Sequence, residues 1–348
     1  MVKKIFKGSF FNEMLEKAEN IDRTIAFSDG NDVRLIKALD FFKDINESRY
    51  ILIGNEKGIL DKIKEVGISD LDNFSVVDPE KSRKQKEYRE IIKSSYEARK
   101  RNITDTDLSK LVLDTSYYTS LLLKTDDADC AVGGSISSTE ALMRSVIYVL
   151  GLTKGKKFLS GAAFVDVPEC KYGIDGRFCL SDPAIIPKPT EEQMTDMVLS
   201  SYETAQSVFK QEPIVAILSY STKGSAKGED IDRIKKVVEN VKRIRPDIKI
   251  DGELQFDAAI VPEVARVKLS ESEAAGKANV LIFPDLNSAN IGYKIIQRLA
   301  KAEVCGTVIQ GAAKPFNDLS RGCNVEDIIS LIAMTLLQRK GMEEANLL

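Results

Sequence analysis

The 348-residue sequence predicts an α/β protein built from two doubly wound domains with a cleft between them. Three observations carry that reading. Short β-branched runs bounded by turn residues alternate with amphipathic stretches. The length suits about two domains of roughly 100–200 residues each. A Gly- and Lys-rich segment, Gly151–Lys157, interrupts the alternation near the middle of the chain.

Thr24–Phe27 reads as the first strand, with a helix from about Asn31 to Phe42. Tyr50–Gly54 is a second strand, followed by a helix ending near Gly67. Phe74–Asp78 is a third, with charged helical sequence to about Asn102. Two helical segments lead to the strand Asp129–Gly134, and a helix follows with Ser137 or Ser138 as its N-cap. Beyond Lys157, Phe158–Val167 and Phe178–Ser181 are spaced like an antiparallel pair. Alternation then resumes, with helix Glu191–Phe209, strand Ile214–Ser219, helix Glu229–Ile244 and strand Ile248–Asp251. A short helical region, strand Asn279–Pro284, helix Asn287–Ala302, strand Val304–Gln310 and helix Val325–Leu337 complete the chain.

Composition narrows the function. With 43% hydrophobic and 30% charged residues the chain has an ordinary globular balance. A net charge of −3 argues against a broad nucleic-acid surface. The start Met1–Lys7 imitates a signal peptide, but Lys7, Asn12 and Glu13 break the apolar stretch, and no run approaches the roughly 18 residues of a membrane helix. A cytoplasmic protein is expected. Five cysteines (Cys130, Cys170, Cys179, Cys305, Cys323) without paired spacing read as free thiols. There is no histidine. That removes a Ser-His-Asp triad and a His-ligated zinc, and turns the search for a general base to carboxylates.

Four segments carry candidate chemistry. In Leu218–Ala226 (LSYSTKGSA), Ser219, Ser221 and Lys223 stand at a strand's carboxyl end and suit phosphate or another anion. The order GxxxxGK[ST] is missing, and a plain polar connection accounts for the same residues. Asp251–Asp257 (DGELQFD) clusters three carboxylates; Asp251 and Asp257 fit helix capping and pairing with lysines, and Glu253 is left open. Asp285 or Asn287 can cap the helix that follows Phe283. Lys314–Asp327 (KPFNDLSRGCNVED) is the densest polar segment beside an apolar strand. There Ser320 and Arg321 precede a helix that Asn324 caps, with Asp327 at its third position as a capping partner.

The stretches LSYSTKGSAKG, DIKIDGELQFDAAIVPEVA, GKANVLIFPDLNSANIGYKIIQRLAKAE and KPFNDLSRGCNVEDI together resemble the phosphate acetyltransferase (phosphotransacetylase) family, within the phosphate acetyl/butyryltransferase group. The resemblance implies an isocitrate/isopropylmalate dehydrogenase-like fold, with one domain from 1–152 and 311–348 and the other from 153–310. It implies a homodimer, a functional link to an acetate kinase, and reversible acetyl transfer between coenzyme A and inorganic phosphate, with acetyl phosphate as product and no covalent acyl-enzyme. No permanently bound cofactor and no metal are implied; acetyl-CoA and CoA are substrates.

Residue by residue, the resemblance makes Asp327 the base for the CoA thiol, Ser320 and Arg321 the groups that polarise the thiolester, and Arg99 an arginine associated with CoA; Arg144 is the neighbouring candidate, which recovers the anion contact only if the local backbone shifts. Cys170 matches a family cysteine near the site and is expected to be non-catalytic. The family often reads Gly-Ala-x-His-Ser/Thr and then Leu-Arg-Pro, where this chain has Gly134–Ser138 (GSISS) and Leu142-Met143-Arg144. The family arginine thus falls on Met143, and Arg144 is displaced by about 100° around a helix. Three other readings stay open: a butyryl- or propionyltransferase, a catalytically weak module that binds acetyl phosphate or CoA, and a nicotinamide-dependent dehydrogenase of the same fold.

Overall fold

The protein was studied as a computed structural model that describes residues 5–269 and 271–348; Met1–Lys4 of the signal-like start lie outside them. The chain divides into two compact units, Met1–Lys154 with Ala312–Leu348, and Gly155–Gly311.

The first unit opens with α1 (Ser9–Ala18) and alternates through β1 (Thr24–Phe27), α2 (Val33–Phe42), β2 (Arg49–Ile53), α3 (Glu56–Val66) and β3 (Phe74–Val77). Helices α4 (Gln85–Ala98), α5 (Asp105–Leu111) and α6 (Thr115–Lys124) then lead to β4 (Cys130–Gly133) and α7 (Thr139–Ser145), which runs into a π-helical turn, Val146–Leu150. Polar side chains start several of these helices. Asp32 caps α2, Asn55 caps α3 and Ser138 caps α7, each accepting a backbone N–H of the first turn.

The second unit contains β5 (Ser160–Asp166), β6 (Arg177–Ser181), α8 (Glu191–Val208), β7 (Val215–Leu218), α9 (Glu229–Ile244), β8 (Ile250–Leu254), α10 (Phe256–Ile260), α11 (Pro262–Lys268), β9 (Val280–Ile282), α12 (Leu286–Leu299) and β10 (Glu303–Gln310). Its sheet runs β10-β5-β6-β9-β7-β8. The β10-β5 and β5-β6 pairs are antiparallel and the others parallel. Apolar residues on one face of this sheet, among them Leu180, Ala216, Leu254 and Leu281, form a core against the helices that cover it.

The chain returns to the first unit with β11 (Phe316–Asp318) and α13 (Val325–Glu344). All pairings in that sheet are parallel, in the order β11-β4-β1-β2-β3. Strand order therefore reverses between β1 and β4, the switch point at which open α/β sheets place ligands beyond the strands' carboxyl ends. Every residue of α13 from Ile328 to Gln338 is buried, as expected of a helix packed on all sides. It packs against α1, α2, β4 and β11. The opening residues of α13 are thus fixed by a buried helix and stand beside the switch point.

Helix α1 and strand β11 were not read from sequence. In β11 only Phe316 is apolar; Asn317 is buried because its amide donates to Thr335 and Gln338 on α13.

Candidate active site

Three chain segments leave the first unit's sheet at the switch point. Beyond β1 come Ser28, Asp29 and the turn to Asp32; beyond β4 comes Gly134–Ser138; beyond β11 come Leu319–Asn324. Register holds them together, since Phe27 pairs with Val132 and Asp318 pairs with Gly133. Leu319 N–H then donates to Gly133 O at 2.7 Å.

Asp29 organises the β4 turn. Its buried carboxylate accepts from Ser135 N–H at 2.9 Å, Ser137 N–H at 3.1 Å and the Ser137 hydroxyl at 3.2 Å. Arg34, in the first turn of α2, ties the segments to one another. Its guanidinium donates to Arg321 O at 2.9 Å, Cys323 O at 2.8 Å and Ser135 O at 2.9 Å, and forks onto Asp32 at 3.1 and 2.8 Å. Burial alone would push the Asp32 carboxyl upward; hydrogen bonds led by Arg34 outweigh it and hold the group below its ordinary value.

Asp318 is the opposite case. It is 7% exposed, accepts from the Thr139 hydroxyl at 2.7 Å through Oδ2, and has no partner for its buried Oδ1. Burial, with a smaller contribution from the like charge of Asp29, pushes it up to about 6 against the pull of Thr139.

Above this base sits the turn that sequence singled out. Ser320 and Arg321 are exposed; Ser320 Oγ accepts from Gly322 N–H at 3.3 Å, and Ser320 O accepts from Cys323 N–H at 2.9 Å. Asn324 and Asp327 cap α13 reciprocally. Asn324 Oδ1 accepts from Asp327 N–H at 2.7 Å, and Asp327 Oδ2 accepts from Asn324 N–H at 2.9 Å. Ser320, Arg321 and Asp327 are therefore brought into one turn and the first turn of one helix, and Asp327 is half-buried.

In the second unit, Ser219–Ala226 is sewn onto the carboxyl end of β8. Ser219 N–H donates to Leu254 O at 2.8 Å, and Ser219 Oγ accepts from Ser221 N–H at 3.2 Å. Ser221 is fully buried; its hydroxyl donates to Glu253 Oε1 at 3.0 Å and accepts from Ala226 N–H at 3.1 Å. It shapes the loop and does not reach its surface. The exposed Lys223 directs its ammonium onto Asp251. Glu253 is buried, and its Oε1 also takes Gly224 N–H at 2.7 Å. Burial pushes its carboxyl up, but these hydrogen bonds bring it below the ordinary value. No group of three or more Cys, Asp or Glu among the described residues is placed to hold a metal ion.

Residues 9–336 match the phosphate acetyl/butaryl transferase family. The chain belongs to that family. It is 40% identical to a phosphate acetyltransferase of Clostridium acetobutylicum over 93% of this chain and 96% of that one. Its relation to the Bacillus subtilis phosphate acetyltransferase is 36% identity over 95% and 99%. The fold superposes on a phosphotransacetylase from Streptococcus pyogenes with a TM-score of 0.87 at 33% identity, covering 97% of this chain and 99% of that one. A 4-hydroxythreonine-4-phosphate dehydrogenase from Salmonella typhimurium, 11% identical with a TM-score of 0.51, shares the fold alone.

For a member of the phosphate acetyl/butaryl transferase family, the two arginines expected at CoA stand near one aromatic group in the first unit. Arg99 follows the last residue of α4 and is exposed. Tyr96, one turn earlier, stacks on Tyr148 at 4.7 Å between ring centres and shares a hydrogen bond with Tyr117 at 2.8 Å. Arg144 lies on α7 one turn before Tyr148, 61% exposed, and pairs with Glu140 at 3.6 Å. Tyr117 feels the Arg144 charge, although burial dominates and raises its hydroxyl. Cys170 is half-buried against the second unit's core.

Sequence reasoning missed Asp29, Arg34, Asp318 and Thr139. A signal was present in Ser28-Asp-Gly-Asn-Asp-Val-Arg34: two carboxylates and an arginine just beyond a fully apolar strand.

Proposed function

We propose that the chain catalyses acetyl-CoA + phosphate ⇌ CoA + acetyl phosphate, by direct transfer between the two acceptors. The observation that carries the reading is the gathering of Ser320, Arg321 and Asp327 beside the switch point of a chain that matches the family from residue 9 to residue 336.

Asp327 takes the proton of the CoA thiol, which at an ordinary pKa of about 8.5 is mostly protonated at neutral pH. The thiolate attacks the acetyl carbonyl of acetyl phosphate. The C–S bond forms, the C–O bond to phosphate breaks, and phosphate leaves with the electron pair. Ser320 and Arg321 supply hydrogen bonds and positive charge to the oxyanion that develops between these steps. Arg99 and Arg144 hold the phosphates of CoA. In the second unit Ser219 and Lys223 are assigned to binding an anion, with Ser221 setting the turn between them and Asp251 holding the Lys223 ammonium.

We further assign a homodimer, a cytoplasmic location, and a functional link to an acetate kinase that exchanges acetyl phosphate with it. Helix α12 supports the first, because Ile291, Ile295 and Leu299 recur every four residues and are 58%, 51% and 80% exposed. A two-fold interface uses the same patch on both subunits, and such a row offers an apolar one. No helix among the described residues is long and apolar enough to cross a membrane.

The test is phosphate-dependent CoA release from acetyl-, propionyl- and butyryl-CoA, with arsenate-dependent hydrolysis as a control. Acetyl-CoA should turn over fastest. A preference for butyryl-CoA would make the chain a butyryltransferase, and binding without turnover would refute the reaction.

A further inference from the structure

Asp318 stands two residues before Ser320, yet nothing in the chemistry above uses it. Its surroundings work against its charge. Oδ1 is buried without a partner, and the carboxylate of Asp29 lies near enough to repel it. Leaving a buried acceptor unsatisfied is destabilising, and more so when it is charged. An asparagine would keep the acceptor for Thr139 without that cost. A residue whose charge works against local stability is a candidate for function.

Gly134 shows what the unpartnered oxygen faces. At φ +88° this residue has no Cβ; one built there would fall 2.0 Å from Asp318 Oδ1 and 2.8 Å from Leu319 O. Two acceptors thus flank the same point, and no group donates to Oδ1. One belongs to the carboxylate, and the other is the carbonyl of the peptide that leads into Ser320. The N–H side of Leu319 is pinned to Gly133 O at 2.7 Å. Thr139 fixes the carboxylate's other oxygen at 2.7 Å.

We propose that Asp318, as a carboxylate held by Thr139, is a positioning residue that keeps the Leu319–Ser320 peptide turned so that Ser320 and Arg321 face the acyl group. An ionised Oδ1 and a carbonyl oxygen repel, so the Leu319 carbonyl stays turned away. An amide at the same place donates to that carbonyl and draws it round. This inference rests on the assignment of Ser320 and Arg321 above.

The test compares Asp318→Asn, Thr139→Val, Thr139→Ser and Arg321→Ala in the full chain, measuring kcat, KM for acetyl-CoA and Tm. Asp318→Asn should lower kcat at least tenfold with KM within about twofold and Tm unchanged or higher. Thr139→Val should lower kcat in the same sense, and Thr139→Ser should restore it. Wild-type kcat in Asp318→Asn overturns the proposal, as does a loss of kcat matched by a loss of Tm, which marks a merely structural residue. Wild-type turnover in Arg321→Ala instead overturns the assignment on which the proposal rests.

Discussion

Replacing Arg34 by methionine tests whether the site is held from below. The side chain is 33% exposed and its partner Asp32 only 6%. Methionine keeps much of the apolar stem but removes donors to three backbone carbonyls, at 2.9, 2.8 and 2.9 Å, and the fork onto Asp32. A hydrogen bond from a charged donor contributes about 1.5–3 kcal/mol. Partial exposure lets water replace some of this, so about 1 kcal/mol per carbonyl is the fair figure. Breaking the Asp32 pair adds about 1 kcal/mol, for a total of roughly 3–4 kcal/mol. At about 2–4 °C per kcal/mol in a unit of this size, Tm falls by roughly 10 °C. Because two of the carbonyls belong to Arg321 and Cys323, kcat should fall at least tenfold as well. Arg34→Lys keeps the charge but cannot reach carbonyls on two loops and fork onto Asp32 together, so it should follow methionine rather than wild type. Thermal unfolding and steady-state CoA release measure both effects. If Arg34→Met melts within about 2 °C of wild type, or keeps kcat within twofold, the turn is not held as described.

Asp327→Asn and Arg321→Ala should each lower kcat by about 10²–10⁴, and the asparagine should leave Tm nearly unchanged because its amide oxygen can still accept from Asn324 N–H; wild-type turnover in Asp327→Asn would remove it as the base. Asp318 titrates in the fold at about 6, above its ordinary 3.8. The folded state therefore binds the extra proton between those values, and stability falls as pH rises from about 4 to about 6, by roughly 3 kcal/mol. Asp318→Asn should gain Tm on wild type across that window, and a pH-independent difference would refute the linkage. Ile295→Asp on α12 should turn a dimer into a monomer by light scattering, with no change for a chain that is already monomeric.

Much of the fold was legible because its signals are local. The four residues Thr24–Phe27 and the sixteen of Glu229–Ile244 read as strand and helix from their own patterns, and the structure gives the same bounds. The cap of α13 was legible for the same reason, since Asn324 and Asp327 are three residues apart and capping is a contact along one chain. The lysine pairing expected of Asp251 is found with Lys223, across adjoining strand ends. Strand β11 escaped because its polar residues are buried by partners on α13, 18 and 21 residues later. Helix α1 escaped because its buried face is covered mainly by α13, at the far end of the sequence.

The base of the site escaped for a deeper reason. Arg34 meets Arg321 O across 287 residues, Asp318 meets Thr139 across 179, and Asp29 meets Ser135 across 106. No window of sequence contains both members of any of these pairs; only the parallel order β11-β4-β1 brings them together. That order also accounts for the division of labour at the switch point. The exposed residues, Ser320 and Arg321, sit in a short turn with little packing of its own. Their placement depends on the half-buried Arg34 and the buried Asp29, whose partners are mostly backbone atoms of neighbouring loops. Backbone partners fix the path of a loop whatever side chains it carries, so Asp29 and Arg34 hold Gly134–Ser138 in place through its N–H and C=O groups. Arg144 has no such support, because it is exposed and its ion pair is to Glu140 on its own helix. Side-chain substitution within Gly134–Ser138 should therefore disturb the loop's path less than substitution at Arg144 disturbs the CoA contact proposed for it.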